Sequence, residues 1–301
     1  MRVAVTGSSG LIGGELVAEL ARQGHEVTRL VRRPAGPGDA SWDPAGGTIE
    51  ADKLEGHDGV VHLAGVGIGD HRWSDDHKRA VMDSRVQGTT TIARAVAEQG
   101  VPTLVSMSGV GYYGNPGDTV LDEDSPRGSS YVADIAATWE ASTEAAAAAG
   151  ARVVLARTAV VLSAKGGAYG PLLPLFRLGL GGKLGSGRQW WSWVALDDYV
   201  RAIRFVLDHD DLSGPVNISA PEPLTNAEMT AAMGRVLHRP TIFTAPGWAL
   251  KLPLRDFATD LLGGQRVVPR RLQEAGFEFA HPTFEAALRE LLAQAHPRTT
   301  S

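Results

Sequence analysis

The apolar positions along the chain change period in a regular way, and that alternation predicts its elements. Val3-Ala4-Val5 is a short apolar run bounded by Gly7, as in a buried parallel strand. Leu11, Ile12, Leu16, Val17 and Leu20 then recur at helical spacing, with Gly24 as the C-cap. The same alternation continues. Glu26 to Val31 reads as a second strand, a short third lies near Trp42, and Gly59 to Leu63 forms a fourth. A long helix is expected from about Asp75 to Gln99, ending at Gly100. Thr103 to Met107 is the fifth strand, ending at Ser108. One helix is expected from Ser130-Tyr131 through the alanine run Ala145–Ala149 to Gly150. Arg152 to Arg157 is the sixth strand.

Strand and helix in alternation give a parallel sheet with helices on both faces, so the fold expected is α/β, Rossmann-type and doubly wound. After Val161 the pattern loosens. Glycines and prolines punctuate 166–187, with one short helix near Leu172–Leu178. Asp197-Asp198 opens a helix to about His209, and its carboxylates are expected to cap that helix and complement its dipole. Val216-Asn217-Ile218 is a strand, and Thr225 with Glu228 forms a capping box for a helix ending near Leu237. Ala249–Leu252, Arg255–Leu262, Pro269–Glu274 and Phe284–Ala295 mix helix and loop, with a disordered tail from His296. The expected division is a cofactor domain over 1–162 and 190–220, an interleaved C-terminal substrate lobe over 163–189 and 221–297, and a flexible tail over 298–301.

The first strand-to-helix junction carries chemistry. Gly7, Gly10 and Gly13 stand three apart, where a dinucleotide site needs a tight turn, a close approach to pyrophosphate, and close helix–strand packing. The helix's free N–H groups and positive end then face the anion. About twenty residues on, NAD sites place an acid for the ribose 2′-OH. Here the chain reads Arg29-Leu30-Val31-Arg32-Arg33, and guanidinium groups suit the 2′-phosphate of NADP(H). Leu63, Ala64 and Gly65 follow the fourth strand at its carboxyl end, where ligands of such sheets lie. His62, inside an apolar strand, reads as a packed core histidine.

Composition narrows the class. The 301 residues are 43% hydrophobic with a net charge of -5, so no basic field invites nucleic acid or an anionic membrane. There is no cysteine, which excludes disulfides and thiol nucleophiles and fits a reducing compartment. No metal site is expected among the nine scattered histidines. The N-terminus runs straight into the first strand, with no signal peptide, and no apolar run spans a bilayer. A cytoplasmic location is therefore expected, as a monomer or homodimer with a small-molecule substrate.

Ser108, at a strand end, precedes Gly109-Val110-Gly111-Tyr112-Tyr113-Gly114, which reads either as a reaction site or as a turn with a packed tyrosine pair. Arg72 and Arg188 are candidates for a substrate phosphate. Gln189 lies on the glycine-rich turn, Trp73 is a substrate candidate beside Arg72, and the tryptophans at 190, 191 and 193 suit the core more often than a cage, though one at the cleft, Trp193 among them, would stack on a ring.

These residues resemble the extended short-chain dehydrogenase/reductase superfamily, in its atypical sugar-nucleotide-epimerase-like branch (NAD-dependent epimerase/dehydratase). The motifs are Thr6 through Gly13, Leu63-Ala64-Gly65, Arg72-Trp73, Ser84-Arg85, Ser108 through Gly114, Trp139-Glu140, Arg157 and Gly166-Gly167-Ala168. They continue with Gly181 through Gln189, Trp193, Asp197-Asp198, Gly263-Gly264-Gln265-Arg266-Val267 and Pro269, so the match includes the family's C-terminal domain. The resemblance implies a cofactor site at Gly7, Ser9, Gly10, Leu11, Ile12 and Gly13, with Arg32 (and Arg33 beside it), Leu63, Ala64, Arg85 and Val161. It also implies a catalytic Ser and a Tyr-x-x-x-Lys motif. Ser108 and Tyr131 match, but Ile135 stands where Lys belongs, so Tyr112 and Tyr113 remain alternative proton relays. Ala195 replaces a histidine that many relatives carry. Two functions remain open: an NADP(H)-dependent oxidoreductase or epimerase acting on a small polar, nucleotide-linked substrate, or a non-catalytic NADPH-binding sensor.

Overall fold

The computed structural model describes residues 1–69, 71, 73–167, 169–170, 172–247 and 262–295. Arg72, Ala168, the expected helices within 249–261 and the tail from His296 lie outside the described residues.

The first apolar run becomes strand β1 (Arg2–Thr6) and leads directly into helix α1 (Leu11–Arg22). Gly24 ends that helix at φ 81°, with the His25 N–H donating to the Leu20 carbonyl and the Gly24 N–H to that of Ala21. This left-handed ending lets the chain reverse into β2 (Glu26–Val31). Next come β3 (Asp39–Asp43), β4 (Thr48–Ile49) and β5 (Gly59–His62). Helix α2 (Asp75–Gln99) is capped by the Ser74 hydroxyl and ended by Gly100 in the left-handed region. Strands β6 (Thr103–Gly109), β7 (Val120–Leu121), β8 (Arg152–Thr158), β9 (Val160–Leu162), β10 (Gly182–Leu184), β11 (Trp190–Trp191), β12 (Trp193–Ala195) and β13 (Gly214–Ile218) follow.

The large sheet has the order β13-β8-β6-β5-β1-β2-β3-β4. β1 pairs parallel with both β2 and β5, β2 with β3, and β5 with β6. The strand order steps out from β1 in both directions, as in a doubly wound nucleotide-binding sheet. One departure from an all-parallel sheet occurs at its edge, where β4 folds back antiparallel on β3. The turn Pro44-Ala45-Gly46-Gly47 makes this hairpin, and Ile49 gains cover against the core.

A second departure concerns the helix expected over 130–149. It is two helices, α3 (Tyr131–Ala141) and α4 (Glu144–Ala148). At the break the Ser142 hydroxyl donates to the Thr138 carbonyl and the Thr143 hydroxyl to that of Glu140. The Ser142 N–H is shared between the Thr138 and Trp139 carbonyls, and the Thr143 N–H bonds to Glu140, three residues back, where the α-helical ladder ends.

The contacts divide the chain into two compact units. The first is Met1–Tyr112, Asp134–Arg157 and Val200–Val216, with a core that includes Ala4, Leu30, Trp42, Val60, Ile92, Val96 and Leu104. The second is Tyr113–Ala133, Thr158–Tyr199 and Asn217–Ser301, with a core around Leu162, Tyr169, Phe176, Trp193, Met229, Met233 and Phe284. Residues 113–133, 158–162, 190–199 and 217–220, read in the sequence with the cofactor domain, cluster in the second unit. The short helix α5 (Leu172–Arg177) precedes β10, helix α6 (Leu196–Asp208) follows β12, and the capping box Thr225/Glu228 opens α7 (Asn226–Leu237) with both of its hydrogen bonds formed. The carboxylates of Asp197 and Asp198 stand in the first turn of α6, where they complement its dipole, and they also hold a distant turn. Asp198 accepts the Ala280 and His281 N–H groups, and Asp197 pairs with the His281 ring.

Candidate functional site

In the first unit the glycine turn is built by backbone contact. Gly7 has φ 65°, and a Cβ there would meet Leu63 and Ala64 backbone atoms at about 3.0 Å. A Cβ on Gly13 would overlap the Gly7 backbone, so both positions require glycine. Helix α1 begins at Gly10 with no side-chain cap and no acid in its first turn, leaving its positive end open to an anion. Ser9 and Gly10 are exposed there, and Leu11 and Ile12 are half-buried.

The loop after β5 is fastened at four points. The Thr6 hydroxyl accepts the N–H groups of Leu63 (3.0 Å) and Ala64 (3.2 Å). The Ser84 hydroxyl accepts the Val66 N–H at 3.1 Å, and Arg85 donates to the Val66 carbonyl at 2.9 Å. Ser84 and Arg85, adjacent on α2, thus take both backbone groups of one residue. Arg85 is buried, its guanidinium lies 4.6 Å from the Trp139 ring, and it stands beside Gly65. Trp139 in turn donates to the Thr89 hydroxyl. Ser84-Arg85 and Trp139 therefore belong to one support for the loop, which their separation in sequence does not reveal.

His62 is fully buried, and its Nδ1 lies 2.8 Å from the Thr6 hydroxyl. Burial pushes its pKa down to about 4. The Thr6 oxygen already accepts two bonds, so its own proton goes to Nδ1, and the neutral ring carries its hydrogen on Nε2.

At the end of β2, Arg29 and Arg33 both donate to the Asp39 carboxylate, at 2.8 and 3.0 Å. Asp39 is buried and so committed to these two residues. Arg32 is exposed and makes no ion pair among the described residues.

A buried ionic network lies beyond β6. Ser108 donates to Glu140 Oε1 at 2.7 Å, and Arg157 donates to both Glu140 oxygens at 2.8 and 2.9 Å. The Arg157 guanidinium lies 3.5 Å above the Tyr112 ring. The sequence marked Glu140 and Arg157 without a role. Their pairing depends on two elements that meet only in the fold.

Several expected residues have other work. Ile135 is buried at 1% exposure, so the position where relatives carry Lys belongs to the core. Tyr131 is exposed on α3, while Tyr113 is buried and donates to Asn217 at 2.7 Å. Trp73 is buried edge-on to His77. Trp193 is fully buried, donates to the Glu222 carbonyl and meets Phe284 edge-on, so it is a core residue with no face left for a substrate. Gln189 is buried too, its amide spent on the Leu184 carbonyl within the glycine-rich turn. Arg188 is exposed on that turn, Val161 pairs with Val194 on β12, and Arg72 lies outside the described residues.

Comparison with known proteins identifies the family. The family described as NAD dependent epimerase/dehydratase matches residues 3–219, and a domain of unknown function, DUF1731, matches 245–291. An epimerase family protein of Mycobacterium bovis is 47% identical over 95% of this chain and 96% of its own. The crystal structure of human epimerase family protein SDR39U1 with NADPH is 33% identical with a TM-score of 0.87, covering 97% of this chain and 99% of that one. A nucleoside-diphosphate sugar epimerase of Corynebacterium glutamicum is 37% identical with a TM-score of 0.81, covering 97% of this chain and 58% of that one. With a match across most of its length, this chain belongs to the NAD-dependent epimerase/dehydratase family and carries that family's DUF1731 domain at its C-terminal side.

Proposed function

We propose that the protein is an NADP(H)-dependent oxidoreductase or epimerase acting on a small polar substrate of the nucleotide-sugar class. One observation carries the cofactor choice. Of the three arginines at the end of β2, two are spent on Asp39 and the third, Arg32, is exposed without an ionic partner among the described residues. The buried Asp39 is neutralised by its arginines, so it does not serve as the acid that an NAD site offers the ribose 2′-OH. The NADPH in the human relative's structure supports the same choice.

Gly7, Gly10 and Gly13 would admit the pyrophosphate to the α1 N-terminus, and the fastened loop 63–66 would line the dinucleotide. When bound, the nicotinamide supplies hydride transfer. Arg157 then stands in for the missing lysine as the cation beside a phenol, that of Tyr112. Ser108, its own proton held by Glu140, would accept a hydrogen bond from the reacting hydroxyl of the substrate. The substrate class rests on the nucleoside-diphosphate sugar epimerase among the relatives.

A second reading, an NADPH-binding sensor without turnover, is favoured by Ile135. Its burial removes the ordinary acid–base pair from α3.

Calorimetric titration with NADPH and NADH tests the cofactor. A charged hydrogen bond contributes about 1.5–3 kcal/mol, so Arg32→Asp should weaken NADPH about 10- to 100-fold and leave NADH nearly unchanged. Equal affinities of the wild type for the two cofactors would overturn the NADP assignment. A screen of UDP- and dTDP-sugars at the nicotinamide absorbance band separates enzyme from sensor, since binding with no hydride turnover supports the sensor.

A further inference from the structure

The DUF1731 match has no assigned role, and its described part makes a dense set of contacts within the second unit. Residues 263–271 lie along the segment 113–124. β7 pairs parallel with the strand Arg266–Val267, in the register Arg266 to Val120 and Val267 to Leu121, and the Val268 N–H donates to the Leu121 carbonyl. Gln265 Nε2 donates to the Gly114 carbonyl at 2.7 Å and lies 3.4 Å from Asn115 Oδ1. A Cβ on Gly263 would overlap the Asn115 side chain.

Three acids continue the line. Arg270 pairs with Asp122 at 3.2 Å and with Asp124, and Arg271 donates to Asp124 at 2.9 Å. Buried Glu123 accepts the N–H groups of Asn217 and Arg271. Asn217 closes the circuit. It accepts the Tyr113 hydroxyl and donates to the Val268 carbonyl at 3.0 Å. On its other side the strap is held by Ser192, which donates to the Gln265 carbonyl and accepts the Val267 N–H.

The segment 113–124 has little regular structure of its own. It contains the last residue of the 3-10 turn Val110–Tyr113 and the two-residue β7, and otherwise runs as turns and loop. Its order is therefore borrowed from its neighbours. We propose that residues 263–271 of the DUF1731 domain act as the strap that fixes segment 113–124, with Gln265 as its positioning residue at the tyrosine-bearing turn. The domain's role is then to hold that turn in one conformation. This inference rests on contacts within the second unit and does not depend on the cofactor assignment.

Hydrogen exchange on the full chain without cofactor tests it. Gln265→Glu keeps the size but loses the donor to Gly114, and Arg271→Ala removes one of the two guanidinium groups that grip Asp124. Each should raise amide exchange over 113–124 about 5- to 10-fold and leave 103–107 and 152–157 at wild-type protection. Gln265→Asn, an amide too short to reach, should behave like Gln265→Glu. Unchanged exchange over 113–124 in both Gln265→Glu and Arg271→Ala would overturn the proposal. So would a uniform rise across the chain, which would mean general destabilisation rather than release of one segment. If Gln265→Glu does not fold, Arg271→Ala alone decides between these outcomes.

Discussion

Replacing Thr6 by valine should loosen the dinucleotide loop at its root. The two side chains are nearly isosteric, so no cavity opens, but three hydrogen bonds disappear. The hydroxyl accepts from Leu63 at 3.0 Å and Ala64 at 3.2 Å and donates to His62 Nδ1 at 2.8 Å. Thr6 and His62 are fully buried, so the histidine nitrogen gains no water in exchange. An unsatisfied buried group costs about 1–3 kcal/mol. Leu63 and Ala64 are half-buried, which lets water relieve part of the loss at their N–H groups. The sum is about 3 kcal/mol, a large share of the roughly 5–15 kcal/mol that holds a domain together. Urea unfolding at pH 7 measures it directly, and NADPH titration of the folded variant reports the loop. Thr6→Ser keeps the oxygen and should recover most of both. A Thr6→Val protein within about 0.5 kcal/mol of wild type, the ordinary range for an uninvolved site, would refute this role for the hydroxyl. A serine variant as damaged as the valine variant would do the same.

Two further outcomes follow from buried side chains. His62 has a folded pKa of about 4, below its usual 6.5, so the fold favours the neutral ring. Its contribution is complete above pH 6.5 and is lost as pH falls towards 4, by roughly 3 kcal/mol in total. His62→Asn, which keeps an acceptor for Thr6, should flatten that part of the stability–pH curve measured by denaturant unfolding. Ile135→Lys should not restore the family's missing lysine. The site is buried, and at pH 7 an ammonium there must be deprotonated at a cost of up to about 4–5 kcal/mol, seen as a lower Tm with no tighter NADPH binding.

The first half of the fold is legible in the sequence because its signals are local. The bounds of β2 and α2 follow from apolar period and from Gly100, which ends a helix by a backbone conformation that only neighbouring residues determine. The capping box at Thr225 is likewise a three-residue matter. The helix over 130–149 reads as continuous because alanine propensity hides the hydroxyls of Ser142 and Thr143, which turn back on the preceding carbonyls. The tryptophans stay undecided in the sequence for another reason. An aromatic ring suits a cleft and a core equally, and burial, which no local pattern states, sends Trp193 to the core.

The glycine turn and its place between strand and helix are determined by sequence alone, since the φ of 65° at Gly7 and the packing of Gly13 on the Gly7 backbone are local to one strand–helix junction, whereas the approach of Gly7 to Leu63 and Ala64 is tertiary. Arg32 was equally visible as a candidate, but which of the neighbouring arginines stays uncommitted was decided by Asp39, brought alongside by the pairing of β2 with β3. Tertiary structure also decided the partners of Ser108, the grip of Ser84 and Arg85 on Val66, and the course of residues 263–271 along 113–124. These are hydrogen bonds and ion pairs between residues far apart in the chain. Their strength depends on distance and burial in three dimensions, which neither spacing nor composition contains.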